Sequence, residues 1–370
     1  MIRVLHFVST PAIWSGVMSV IMNYYRHMDR TLVQFDFLCF LNCENNYEDE
    51  IISYGGHVYY VKKPGSSMAA MWEIEKFFKE HKGRYQWFHN HEAYLGFYLC
   101  RLVGRYDFGH FIIHSHATRY SDKWLNAIRN QILCYPILFM KFNRIACSKA
   151  AGGFLFGEKM VQQNKVYILY NAIDCKKYRY NREKREELRG RLGVQDKLVI
   201  GHVGRFEKQK NHEFLIESFS IFKKKYPDSV LILVGSGSLK MTMEQKVKIA
   251  GLETAVFFLG QQNNSQDWYQ AMDLFWLPSF YEGLPMVAVE AQASGLPCFL
   301  ADTITQEVEL LDTTKRLSLK KGPEFWITEV CKQKNTIERD EAWRIVENAG
   351  FGIESASVKL QRYYMNEGAR

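Results

Sequence analysis

Several features that mark secreted or membrane-spanning proteins are missing from this chain of 370 residues. No C-x-x-C pair occurs among its eight cysteines, which are scattered mostly through apolar stretches, as reduced buried thiols would be. A disulfide framework is therefore not expected, and the cytoplasm is the expected compartment. No run of about 20 apolar residues occurs. The opening MIRVLHFVST is broken by His6 and leads into a turn, so we expect neither a signal peptide nor a transmembrane helix.

The charge balance restricts the possible partners only weakly. A formal net charge of +8 suits phosphates, anionic lipid or nucleic acid. No RNA- or DNA-binding motif is present, so we expect no nucleic-acid partner. The composition, with 47% hydrophobic and 24% charged residues, is that of an ordinary globular protein, and the length fits two domains better than one.

Short apolar runs alternate with helically spaced segments in both halves of the chain. Helical spacing occurs, for example, at 17–27, 71–81, 212–225 and 239–250. Strand-like runs lie at 3–9, 35–40, 57–61, 85–90, 111–115, 144–147 and 166–169, and again at 198–203, 230–234, 256–259, 274–277 and 298–300. This alternation predicts an α/β protein with two Rossmann-like parallel-sheet domains that face a central cleft.

The charged stretch KKYRYNREKREELRGR separates the two halves and is typical of a solvated helix face. We therefore expect an N-terminal domain at 1–175 and a C-terminal domain at 176–350. Residues 351–370 should form a final helix, which could cross back to the N-terminal domain.

The sequence GRFEKQK directly follows the strand-like run 198–203. Gly204 would let a ligand approach the backbone closely. Arg205 and Lys210 would place two cations at the carboxyl edge of the sheet, where α/β folds bind ligands. A guanidinium fork and an ammonium could together neutralise a diphosphate, although two ordinary surface cations are the alternative.

A second motif, YEGLPMVAVEAQASGLP, carries two carboxylates, Glu282 and Glu290, eight residues apart. Gly283 and Pro285 indicate a helix start, and the spacing predicts a helix over 284–293. A rise of about 1.5 Å per residue would separate the carboxylates by about 12 Å, roughly the span from a sugar across a diphosphate to a ribose. The helix N-terminus would point amides at the diphosphate. An ordinary helix acid and a cap are the alternative.

GRFEKQK, followed about 70 residues later by E-x7-E, resembles glycosyltransferase family 4, a family of retaining enzymes with the GT-B fold. WSGVMSVIMNYY resembles its N-terminal glycine loop, and CSKAAGGFLFG and YNAIDCKKY resemble its pre-linker region, so the resemblance covers nearly the whole chain. It is closest to bacterial capsular and exopolysaccharide transferases. These motifs are specific for the family but give almost no information about the acceptor.

The resemblance implies catalytic roles for four residues. Arg205 and Lys210 resemble the diphosphate-binding pair, and Glu282 resembles the residue that contacts the donor sugar. In the family, a histidine at the end of the strand matching 111–115 also contacts that sugar. His116 fits this place best, and His114 is the fallback.

The resemblance also implies donor-binding roles for residues that do no chemistry. Glu290 resembles the ribose ligand, and the backbone around Gly283 and Leu284 would contact the distal phosphate. Gly204 belongs to the same donor site. Gly16 resembles the glycine that lets the first loop approach the donor phosphates, although a plain helix-start glycine is the alternative.

Two histidine pairs, HNHE and HSHA, end strand-like runs of the first half. His91 could line an acceptor pocket, whereas His89 and His114 could simply be packed imidazoles. No convincing ligand set is completed nearby in sequence, so we predict no metal site here.

The chain also contains no Asp-x-Asp triplet, with which fold-A sugar transferases hold a divalent metal on the diphosphate. Cations and a helix N-terminus could supply that charge, so we predict activity without a metal or other cofactor. Thr303 and Thr305 depart from the family pattern, which often has a glycine pair before an acid. Glu307 is the matching acid, and the departure leaves the local donor contacts open.

The segment KWLNAIRNQILCYPILFMKFNR, residues 123–144, mixes basic and bulky apolar side chains. It could be a membrane-surface helix that faces a lipid-linked acceptor. It could equally be a buried helix of the first domain, broken at Pro136, and this is the interpretation we favour.

The resemblance therefore implies a cytoplasmic, metal-independent, retaining hexosyltransferase, which could lie peripherally on the inner face of the membrane. The C-terminal domain would hold a nucleotide sugar, expected to carry UDP, and the N-terminal domain a saccharide or lipid-linked acceptor for capsule or exopolysaccharide biosynthesis. The alternatives are a nucleotide-sugar epimerase of the same fold and a non-catalytic sugar-nucleotide-binding partner.

Overall fold

The computed structural model describes residues 1–121, 123–262, 264–333 and 338–365. The chain forms two compact units, the first comprising Met1–Ala172 with the segment from Ile353 onward, and the second comprising Ile173–Gly352. The two points where the chain passes from one unit to the other are neighbours, because the amide of Ile173 donates to the carbonyl of Phe351 at 2.9 Å.

The first unit contains a seven-stranded parallel sheet with connecting helices. Its strands are β1 Ile2–Val8, β2 Val33–Cys39, β3 Val58–Tyr60, β4 Trp87–Asn90, β5 His110–Ser115, β6 Asn143–Ala146 and β7 Tyr167–Ile168, in the order β3-β2-β1-β4-β5-β6-β7. Its first seven helices are α1 Gly16–His27, α2 Glu48–Ser53, α3 Met68–Glu80, α4 Gly96–Tyr106, α5 Trp124–Cys134, α6 Lys149–Phe156 and α7 Glu158–Gln162.

The second unit contains a six-stranded parallel sheet. Its helices are α8 Arg182–Leu192, α9 His212–Lys225, α10 Lys240–Ile249, α11 Ser265–Ala271, α12 Met286–Ala293, α13 Gly322–Cys331 and α14 Arg339–Val346. Its strands are β8 Leu198–Val203, β9 Ser229–Val234, β10 Val256–Gly260, β11 Leu274–Leu277, β12 Cys298–Ala301 and β13 Thr314–Leu317, in the order β10-β9-β8-β11-β12-β13.

The last helix, α15 Ile353–Tyr364, belongs to the first unit. The hydroxyl of Ser357 donates to the carbonyl of His27 at 3.2 Å. The indole of Trp87 donates to the carbonyl of Tyr364 at 2.8 Å, so the helix is fixed both to α1 and to the sheet. None of the helices in the described ranges is both long and apolar enough to cross a membrane.

The predicted two-domain, parallel-sheet fold is confirmed. Central strands such as β9, SVLILV, are buried along their whole length, as expected where helices cover both faces of a parallel sheet. Strand β13, TKRL, was not predicted, because two of its four residues are charged. It lies at the edge of the sheet and pairs only with β12 among the described strands, where charged side chains are tolerated.

The predicted buried helix over 123–144 is wrong. The segment divides into α5, a 3₁₀ turn at Tyr135–Phe139 and strand β6. Cys134 is the one buried residue of α5, and the large apolar side chains of the helix are exposed. Pro136 stands inside the 3₁₀ turn, as expected for a residue that cannot continue an α-helix.

Asp36 fixes the amino-terminal side of the first sheet. Its side chain is fully buried on β2 and accepts from Arg3 Nη1 at 2.6 Å and from the hydroxyl of Tyr85 at 2.9 Å. It also accepts from the backbone amide of His57 at 2.9 Å. One carboxylate thus joins β1, β2 and the segments before β3 and β4, and the charge is compensated by both an ion pair and hydrogen bonds.

We predict that Asp36→Ala lowers the free energy of unfolding by about 3 kcal/mol, because it leaves the Arg3 cation and two donors without their acceptor. Equilibrium unfolding in urea measures the effect. Asp312→Ala, at an exposed position, is the control and should change stability by less than about 0.5 kcal/mol. Equal losses in the two variants would contradict the role given to Asp36.

Candidate active site

The strand order of the second sheet reverses between β8 and β11. Such a reversal leaves a crevice beyond the carboxyl ends of the two strands, where ligands of open α/β sheets bind. The loop after β8 carries Gly204, Arg205 and Lys210, and the loop after β11 carries Glu282. Both predicted motifs therefore meet at the ligand-binding edge of one sheet.

An ion pair joins the two loops. Nζ of Lys210 lies 2.7 Å from Oε1 of Glu282, and the side chains are only 13% and 9% exposed. Gln209 reinforces the contact, since its Nε2 donates to Oε2 of Glu282 at 3.2 Å and to the carbonyl of Tyr281 at 3.0 Å. The amide of Phe280 in turn donates to the carbonyl of Gln209 at 2.9 Å. An ammonium has three donors, so two N–H groups of Lys210 have no acceptor among the described residues.

Arg205 lies at the other end of the same loop, and its side chain is exposed to solvent. Its guanidinium makes no hydrogen bond or ion pair with the described part of the chain. All five of its donors are therefore available to an anion that enters the crevice. The structure brings Lys210 and Glu282 into contact, and Arg205 lies in the same loop as Lys210.

Two glycines allow this loop to pack. A Cβ at Gly204 would lie 2.9 Å from Nε2 of His202 and 3.2 Å from the aliphatic chain of Lys210. Gly235, in the loop after β9, has a φ of 140°, and a Cβ there would lie 2.1 Å from the carbonyl oxygen of Gly204. Only glycine fits such an approach. The sequence analysis missed Gly235, although the sequence GSGS directly after a buried strand was an available signal.

Helix α12 begins at Met286, two residues later than predicted, with Pro285 as its N-cap. Glu282 therefore precedes the helix by four residues, and the predicted separation of about 12 Å between the two carboxylates stays a prediction. Gly283 and Leu284 lie in the loop that leads into α12, near backbone amides that have no acceptor within the helix.

Glu290 is buried on α12 rather than exposed. The hydroxyl of Tyr269 donates to its Oε2 at 2.8 Å, and the ring of Tyr178 lies 5.9 Å from that of Tyr269. Burial raises the pKa of the Glu290 carboxyl, and the neighbouring tyrosine hydroxyls oppose that change. The Tyr269 hydroxyl holds the carboxyl in one orientation. Neither tyrosine was predicted, because both lie far from Glu290 in sequence.

The residues that depart from the family pattern lie next to the same site. The hydroxyl of Thr303 donates to the carbonyl of Ser279, in the loop after β11, at 2.7 Å. Thr305 caps a 3₁₀ turn, and its hydroxyl lies 3.0 Å from a carboxylate oxygen of Glu307. The two threonines thus support the loop and the acid, and their effect on the donor stays open.

Gly16 is the first residue of α1, after the N-cap Ser15. A Cβ at Gly16 would meet no described atom within 4 Å. The fold itself therefore does not require glycine at this position, and the contact of Gly16 with the donor phosphates stays a prediction.

The first sheet carries five stacked imidazoles at its own reversal, between β1 and β4. This histidine cluster comprises His6, His89, His91, His114 and His116. Nδ1 of His6 lies 2.9 Å from Nε2 of His91, whose Nδ1 lies 2.7 Å from Nε2 of His116. Nε2 of His89 lies 3.1 Å from Nδ1 of His114. Burial lowers the pKa of all five imidazoles, so they are neutral.

The hydrogen bonds of the cluster indicate where its protons lie. Nε2 of His6 is buried and has no partner among the described residues, so an N–H there would be orphaned. We therefore assign the proton of His6 to Nδ1, which donates to His91. His91 then donates from Nδ1 to Nε2 of His116. This leaves the proton of His116 on its Nδ1, as a hydrogen-bond donor rather than a base.

A pocket of about 300 Å³ borders the cluster and is lined by His91, His114 and His116 together with Glu92. Burial raises the pKa of the Glu92 carboxyl to about 7. His91 therefore lines a pocket as predicted, whereas Glu92 was overlooked because nothing in HNHE distinguishes it from a surface acid.

Histidines that lie far apart in sequence nevertheless form two sets whose nitrogens could hold a metal ion. Nitrogens of His91, His114 and His116 lie within 4.8 Å of one another, as do those of His6, His89 and His91. These ligands come from three strands, so their proximity cannot be read from local spacing. Hydrogen bonds between the rings account for the same proximity, and the absence of a metal stays a prediction.

The two parallel-sheet units give this chain the GT-B fold, which glycosyltransferases of known structure share. The chain belongs to the group 1 glycosyl transferases. Residues 184–324 match that family. EpsF of Bacillus subtilis (strain 168), described as a glycosyltransferase, is 33% identical over 336 residues, which cover 89% of this chain and 87% of EpsF.

Two further proteins extend the comparison. An Escherichia coli enzyme named UDP-Gal:alpha-D-GlcNAc-diphosphoundecaprenol alpha-1,3-galactosyltransferase is 26% identical over 236 residues, 60% of this chain and 59% of that enzyme. HepE from Anabaena, solved with UDP, matches at a TM-score of 0.77 and 18% identity over 99% of this chain and 100% of HepE. HepE was also solved with UDP-glucose. This structural likeness shows a shared fold.

The buried histidines make stability depend on pH. Burial lowers the pKa of His6 to about 3, below the value of about 6.5 in an unfolded chain. Between these values the unfolded state binds the proton and the folded state does not, so stability falls as the pH drops below about 6.5. We predict that His6→Phe, whose ring would stack on Phe37, reduces the stability lost between pH 7.5 and pH 5 by about 2 kcal/mol.

Urea unfolding at the two pH values measures this difference. His110→Phe, at an exposed position of β5, is the control. Identical pH dependence in the His6 variant and the wild type would contradict the assignment of a buried, neutral His6.

Proposed function

We propose that this glycosyltransferase is a retaining, metal-independent hexosyltransferase that uses a UDP-sugar. The Lys210–Glu282 pair at the reversal of the second sheet carries the proposal. Cations there suit a diphosphate, and carboxylates suit the hydroxyls of a sugar and a ribose. The crystal structures of HepE with UDP and with UDP-glucose support the choice of nucleotide.

In this proposal the second unit binds the donor. Arg205, Lys210 and the amides at the start of α12 stabilise the charge that develops on the departing diphosphate. Glu282 accepts hydrogen bonds from the donor sugar. Glu290, oriented by Tyr269, accepts from the ribose.

The first unit holds the acceptor in this proposal, in the pocket lined by His91 and His116. His116 donates a hydrogen bond to the transferred sugar. The acceptor is a saccharide or a lipid-linked saccharide of capsule or exopolysaccharide synthesis. The relationship to EpsF and the diphosphoundecaprenol substrate in the name of the E. coli relative support this choice. The free cysteines support a cytoplasmic location.

The test is turnover with UDP-sugars and saccharide acceptors. We predict that Arg205→Ala and Lys210→Ala each lower kcat by a factor on the order of 10²–10³, because each removes a cation that stabilises the leaving diphosphate. Lys208→Ala is a matched control, since this exposed lysine lies in the same loop and should leave kcat within about twofold. Wild-type turnover in the Arg205 variant would overturn the proposed role.

The same assay tests the other parts of the proposal. Nuclear magnetic resonance of the product should show the anomeric configuration of the donor retained. A chelator should leave turnover unchanged, and restoration of a lost activity by a divalent metal would overturn metal independence. Conversion of the donor to its epimer without any acceptor would instead identify an epimerase.

A further inference from the structure

An unusual concentration of apolar surface lies on α5 and the 3₁₀ turn that follows it. The described chain has 22 exposed large apolar side chains, and eight of them fall within residues 124–139, at 40% to 75% exposure. We call this set the apolar face, and its members are Trp124, Leu125, Ile128, Ile132, Leu133, Tyr135, Leu138 and Phe139. Isolated exposed apolar residues are ordinary, but a contiguous set of this size indicates a binding surface.

The charges within the sequence that carries the apolar face have one sign. From residue 123 to residue 157 the sequence contains no Asp or Glu, and the flanking acids are Asp122 and Glu158. The same stretch contains five cations, namely Lys123, Arg129, Lys141, Arg144 and Lys149. Of these, all but Arg144 are exposed. A partner that covers this face should therefore offer an apolar region to the apolar side chains and negative charge to the surrounding cations.

We propose that the apolar face docks on the surface of a bilayer that contains anionic lipid. Helix α5 has 11 residues, about half the length needed to cross a membrane, so it would lie in the headgroup layer. Trp124 and Tyr135 are amphipathic aromatics of the kind enriched at that depth. A second copy of this chain fits the apolar face less well, because the copy would bring its own five cations against the five cations of the first chain.

Docking through α5 would also place the pocket of the first unit close to the membrane. Asn130 and Cys134, from the same helix, line the pocket that also contains His91 and His116. Docking would hold this pocket beside the headgroups, where the saccharide of a lipid-linked acceptor lies. This consequence rests on the proposed function, whereas the docking itself does not.

Co-sedimentation with vesicles tests the docking. The full-length protein should sediment with phosphatidylglycerol-containing vesicles and much less with pure phosphatidylcholine vesicles. Ile132→Glu should weaken binding at least about tenfold, because it removes an exposed apolar side chain that the bilayer would cover and adds a charge that anionic lipid repels. Ile249→Glu, which makes the same change at an 87% exposed position of α10, is the matched control and should bind as the wild type does.

Calorimetric titration with UDP and light scattering complete the experiment. If Ile132→Glu binds UDP as the wild type does, the variant is folded. If no variant and not even the wild type binds UDP, the proposed function is rejected but the docking is not. Failure of the wild type to bind anionic vesicles, or equal binding by Ile132→Glu, would overturn the docking. A wild-type dimer that Ile132→Glu converts to monomer would assign the face to a second copy instead.

Discussion

The ion pair between Lys210 and Glu282 fixes two loops that share no regular secondary structure. Each charge is largely buried and would be costly alone, so the pair stabilises both loops. The pair also keeps a carboxylate and two unused ammonium donors at the reversal of a parallel sheet. A ligand with a diphosphate and hydroxyl groups finds both kinds of partner there without a large rearrangement.

The two units carry side chains of different charge at the same topological position, the reversal of the strand order. In the second unit the reversal between β8 and β11 carries opposite charges. In the first unit the reversal between β1 and β4 carries neutral, stacked imidazoles. Charged groups suit the anionic leaving group of a nucleotide sugar. Neutral donors and acceptors suit a saccharide, which is bound by hydrogen bonds without the cost of pairing a buried charge.

Much of the architecture was predictable because strands such as β8 and β11 are short apolar runs between helically spaced segments. The GRFEKQK and E-x7-E motifs also indicated the second site, since their glycines and charges follow strand ends. Contacts between distant segments were not predictable. Tyr269 next to Glu290, and His6 next to His91, depend on sheet order rather than on local spacing. The apolar residues of α5 resembled a buried helix, because periodicity cannot distinguish a protein core from a lipid surface.

A crystal structure with bound UDP tests the central claim most directly. The diphosphate oxygens should lie within hydrogen-bonding distance of Lys210 Nζ and the Arg205 guanidinium, with the uridine ribose at Glu290. Density for the nucleotide in the histidine-lined pocket of the first unit, with the Lys210–Glu282 crevice empty, would contradict it.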